Sequence, residues 1–203
     1  MSACCNHDVP VNEIPPSYRR VLWIALTVNA AMFVIEIIAG FLGNSLSLQA
    51  DALDFFADAA NYGISLMVLG MGVRWRAGTA LAKGIAMGVF GLLVLAFAMY
   101  RAFFEQTPDV TIMGGVGFLA LAANGGVAWM LFKYRAGDSN MRSVWLCSRN
   151  DAIANIAVLL AASGVWATGT GWPDLAVGVL IAGLALSSGL QVVIQARQEL
   201  ATA

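Results

Sequence analysis

Residues 19–43 read RRVLWIALTVNAAMFVIEIIAGFLG. After the arginine pair, one charged side chain, Glu36, interrupts an otherwise apolar run. About 20 such residues carry a helix across the hydrocarbon core of a bilayer. The rest of the chain repeats this texture. It is 60% hydrophobic and 11% charged with a mean hydropathy of +0.77, whereas soluble domains carry about 25% charged residues. The fold class expected is therefore an all-α integral membrane protein with six transmembrane helices per subunit.

Outward from that first span, five more are expected at 46–74, 79–105, 109–134, 142–168 and 173–198. The first ends at Gly43-Asn44, Pro108-Asp109 separates the third and fourth, and Pro173 suits the first turn of the sixth. Three domains follow: a flexible tail at 1–18, a six-helix transport domain at 19–198, and a short C-terminal end at 199–203. Pro10, Pro15 and Pro16 oppose helix in the tail, which has no apolar region of the kind a cleaved signal needs. Nine of the eleven basic residues (Arg19, Arg20, Arg74, Arg76, Lys83, Lys133, Arg135, Arg142 and Arg197) flank what should be one face. The positive-inside rule then puts both termini in the cytoplasm. A net charge of −1 without basic clusters gives no sign of nucleic-acid binding. Three cysteines, two of them adjacent, make no disulfide framework.

The chemistry lies in the ionisable residues within the spans: Glu36, Asp51, Asp54, Asp58, Arg149 and Asp151. Each costs at least about 2.5–3.5 kcal/mol at mid-bilayer and marks a site or pathway by default. Asp51, Asp54 and Asp58 are spaced i, i+3, i+7 and share one helical face. Unpaired in a dry interior they would repel one another and take up protons; a divalent cation relieves the repulsion. In the fifth span Cys147 and Asp151 are stacked at i, i+4, with Asn150 and Asn155 close to that face. Asp54, Asp58, Cys147 and Asp151 could converge into a four-donor cage, a coordination that suits zinc. A thiolate favours softer ions such as Zn²⁺ or Cd²⁺, and an all-oxygen cage Mn²⁺ or Mg²⁺. Two blander readings stay open. Cys147 could be a small buried hydrophobe, and Asp51 could cap its helix. Arg149 lies about 200° around the helix from Cys147 and should pair with a buried acid, Asp51 or Glu36. The tail holds Cys4, Cys5, His7 and Asp8, donor types that bind zinc but on no fixed scaffold.

The stretches SLSLQADALDFFADAANYG, NMRSVWLCSRNDAIANIAVLL and WPDLAVGVLIAGLAL resemble the cation diffusion facilitator family. Asn29 and Glu36 also fall where that family tends to have polar residues. The resemblance implies a dimeric exporter with six helices per subunit, exchanging zinc or a similar divalent cation for protons by alternating access. It puts two ligands on the second helix, at Asp54 and Asp58, and two on the fifth, at Cys147 and Asp151; Cys147 stands where the family commonly has His. The family usually carries a cytoplasmic C-terminal domain as well. Because this sequence stops at Ala203, a short form dimerising through its membrane helices is expected, in the plasma (inner) membrane. The metal is then cargo, with no bound cofactor expected and no enzymatic activity. Rival readings are a non-transporting metal sensor or buffer, a channel, or an exporter of manganese, iron, cobalt or nickel.

Overall fold

A computed structural model describes residues 16–67, 73–104, 107–135 and 139–202. The described residues form six α-helices: α1 (Pro16–Leu42), α2 (Leu46–Met67), α3 (Val73–Phe103), α4 (Val110–Phe132), α5 (Ser139–Thr168) and α6 (Trp172–Thr202). α1 starts three residues ahead of its expected first residue, at Pro16, where the missing N–H costs a helix nothing. Tyr18 is therefore part of the bundle, buried edge-on against Tyr134 with ring centroids 4.9 Å apart. At the other end, α6 runs on to Thr202, through most of the segment set apart as a short C-terminal end.

Among the described residues, five helices are long and apolar enough to cross a membrane, and α2 is not one of them. Three aspartates and an asparagine lower its hydropathy, and its place in the bundle explains how it is tolerated. α2 touches all five other helices, and among the described residues no other helix does so. The outside of the bundle is apolar, with Phe41, Leu93, Phe118, Trp129 and Trp166 among its exposed side chains. Polar groups are thus sheltered at the centre, the arrangement that lipid demands.

The turn after α1 sets the start of α2. Asn44 has φ +48°, a left-handed conformation that Asn tolerates better than most residues. Its N–H bonds Phe41 O at 3.3 Å and the Ser45 N–H bonds Gly40 O at 2.9 Å, the paired bonds of a Schellman cap. α3 and α6 pack at close range through small residues. A Cβ on Gly84 would sit 3.0 Å from the Gly189 carbonyl oxygen, so the backbones approach as small residues permit in lipid.

Along α2 lie two larger apolar layers, with a smaller group of Phe55, Met32 and Ala120 packed between them. Leu46, Leu48 and Leu53 join Met113, Val158 and Ile181 in one. Tyr62 and Leu66 join Leu22, Val127 and Leu131 in the other. Asp54 and Asp58 fall between these layers in the chain, screened at both ends by packed side chains.

Candidate metal centre

The site is built on α2, whose N-terminus is fixed by a residue far away in sequence. Asp174, in the first turn of α6, accepts from Ser45 Oγ (2.7 Å), Leu46 N (2.7 Å), Ser47 N (3.0 Å) and Ser47 Oγ (2.7 Å). Its second partner is Arg101 at 3.4 Å, the two side chains being 1% and 4% exposed. An acid from another helix thereby satisfies the orphan N–H groups that every helix start presents. Asp51 lies a turn and more inside α2 and is buried. The capping role is already filled by Asp174, so that reading of Asp51 does not hold.

Asp51 instead faces α1. Its carboxyl lies within hydrogen-bond reach of Glu36, itself 0% exposed. Neither group donates as a carboxylate, and among the described residues both oxygens of Glu36 and one of Asp51 lack a hydrogen-bond donor.

A second carboxyl pair joins α2 to α5. Asp58 and Asp151 lie within hydrogen-bond reach, and Asp54 stands in the electrostatic field of Asp51, Asp58 and Asp151. The Tyr62 hydroxyl donates to Asp58 Oδ2 at 3.0 Å and pairs with Ser148 Oγ at 2.9 Å, clamping the same two helices one turn further on. Among the described residues, one oxygen of Asp151 has no partner, and neither side-chain atom of buried Asn155 has one. Three aspartates from two helices thus gather around one region of the interior. Among the described residues, no three metal-donor side chains close into a ready cage.

The remaining expected donors divide. Cys147 belongs to α5, but its side chain is outside the described residues, as are Cys4, Cys5, His7 and Asp8. Asn150 is half-buried, its Oδ1 accepting from Arg149 Nη2 at 3.1 Å. Arg149 does not pair with Asp51 or Glu36. It is exposed, its guanidinium 5.3 Å from the Trp145 ring centroid. Lys83 departs too, for it lies well inside α3, 7% exposed, donating to Asn61 Oδ1 of α2. It is no flanking residue of the connection, which removes it from the basic set used for orientation.

Tyr62, Ser148 and Asp174 are among the members of this polar interior that sequence reasoning did not single out, and Lys83 was read only as a flanking charge. Tyr62 carried a signal, standing at i+4 from Asp58 on the same face. Asp174 follows Pro173 in the first turn of α6, and its partners lie more than 70 residues away in sequence, so no local pattern points to it.

A helical bundle with an apolar exterior and carboxylates gathered at its centre is a multi-pass membrane protein of the ion-handling class. The chain belongs to the cation efflux family: the family's transmembrane domain matches residues 22–201. It is similar to a protein of Bacillus velezensis named cadmium, cobalt and zinc/H(+)-K(+) antiporter, 29% identical over 199 residues, covering 89% of this chain and 62% of that one. It is also similar to the metal cation efflux system protein CzcD of Cupriavidus metallidurans, 26% identical, with 89% of this chain and 60% of the relative covered. The zinc transporter ZitB of Escherichia coli is 27% identical, with 84% and 58% covered. The chain spans about three-fifths of the length of these curated relatives.

Proposed function

We propose that this chain forms the transport core of a divalent transition-metal exporter, favouring zinc or cadmium, that exchanges the ion for protons by alternating access. The observation that carries the proposal is the approach of Asp58 on α2 to Asp151 on α5, with Asp54 in the same field. Carboxylates crowded in a water-poor interior are costly unless a cation or protons neutralise them. Ligands must lose protons to hold a metal, so metal and protons compete for the same oxygens. Asp54, Asp58 and Asp151 supply hard oxygen donors in this reading, and Cys147 the soft fourth donor that tilts selectivity toward Zn²⁺ or Cd²⁺. The relatives' names, antiporter and zinc transporter, agree with this cargo.

In this proposal the protein is a homodimer held by its membrane helices in the plasma membrane, with both termini cytoplasmic. Asp51, Asn155 and the Cys4, Cys5, His7 and Asp8 group are auxiliary donors rather than ligands of the transported ion.

The test is zinc uptake into proteoliposomes under an imposed pH gradient. Saturable uptake that collapses when the gradient is abolished is the expected result. Zinc binding without gradient-driven flux would instead make the protein a membrane metal buffer.

A further inference from the structure

Lys83 has no part in the ligand set, yet it sits where its charge reaches that set. A lysine in the early turns of a membrane span normally extends toward the interface, laying its apolar stem along the helix. This one turns inward. Its ammonium donates to Asn61 Oδ1 across the α2–α3 contact, and Asn61 is one helical turn beyond Asp58. Lys83 interacts electrostatically with Asp58. It also lines a cavity of about 550 Å³ between α1, α2 and α3, walled by apolar groups such as Trp23, Phe56 and Ile64. An inward-facing intramembrane cation with an acid in range is a functional residue by default.

We infer that Lys83 is a fixed counter-cation of the metal centre, which weakens its hold on a divalent ion and so speeds the ion's release. A metal at Asp58 carries two positive charges and meets the lysine's charge in a low-dielectric interior, where repulsion acts strongly even at several ångströms. Lys83 therefore offsets part of the site's negative charge while the metal is away and opposes the metal once it is bound. Carriers need this balance, because an ion held too firmly is not delivered. Lys83 acts through the field at Asp58 and is a positioning residue for the cargo.

The inference rests on the transporter reading, and the experiment separates the two. Zinc affinity is measured on purified full-length protein by competition with a chromogenic chelator, at about pH 8 where protons compete least. Flux is followed in proteoliposomes. Lys83→Gln keeps a donor for Asn61 and removes the charge. It is expected to bind zinc about tenfold tighter, with KM and kcat for flux both reduced. Lys83→Arg keeps the charge and is expected to match wild type within about twofold. Lys83→Met is expected to follow Lys83→Gln in affinity. Unchanged or weaker zinc binding in Lys83→Gln overturns the inference, as does a Lys83→Arg that behaves like Lys83→Gln. If wild type itself shows no gradient-driven flux, the transporter reading fails, whatever the Lys83 variants do.

Discussion

Replacing Asp174 with alanine should loosen the end of the helix that carries Asp51, Asp54 and Asp58. Its two oxygens accept four bonds from residues 45–47 and one from Arg101. The serine hydroxyls have other partners, since Ser45 Oγ and Ser47 Oγ are 3.2 Å apart and the Leu48 N–H bonds Ser45 Oγ. The N–H groups of Leu46 and Ser47 and the buried Arg101 charge lose the carboxylate that serves them. Removing one partner of a buried ion pair costs about 3–5 kcal/mol. With about 2–4 °C per kcal/mol for a chain of this length, midpoint unfolding should fall by roughly 10 °C. Thermal unfolding in detergent, followed by tryptophan fluorescence, reads this directly. Asp174→Asn should fall between wild type and Asp174→Ala, and adding Arg101→Met to Asp174→Ala should restore part of the loss, because the uncompensated charge is then gone. A midpoint for Asp174→Ala within about 2 °C of wild type would refute the view that this carboxylate anchors α2.

Two further outcomes follow from packing and from donor chemistry. Gly178→Ala puts a Cβ 2.8 Å from the Leu46 carbonyl carbon and should cost about 1–3 kcal/mol by overpacking. Gly183→Ala, with open space around its Cβ, should unfold like wild type in the same melt. Cys147→Ser should lower the ratio of zinc to manganese transported, because a hydroxyl is a harder donor than a thiolate; an unchanged ratio counts against a thiol ligand.

Hydropathy alone revealed most of this fold. Long apolar runs leave lipid as the only solvent that fits them, so five spans could be read directly and α2 by its neighbours and its acidic stripe. The site was legible where chemistry is local: Asp54 and Asp58 share a face by spacing, and Asp151 is an acid that a lipid-facing helix has no use for. What remained hidden depends on partners distant in sequence. Nothing local shows that Asp174 reaches across to the start of α2, that Lys83 turns inward to Asn61 instead of outward to the interface, or that Arg149 settles over Trp145. Asp51 misled for a related reason, since a side chain near a helix start resembles a cap until another residue is seen filling that place.

The most direct test of the central claim is X-ray absorption at the zinc edge on protein carrying Cys4→Ser and Cys5→Ser, which removes the tail's thiols as competitors. One bound zinc with a mixed oxygen and sulfur shell is expected, and that zinc should be lost when Asp54 and Asp151 are both changed to alanine. A zinc retained with an unaltered shell in the doubly substituted protein would contradict the claim, because the ion would then be held somewhere other than between α2 and α5.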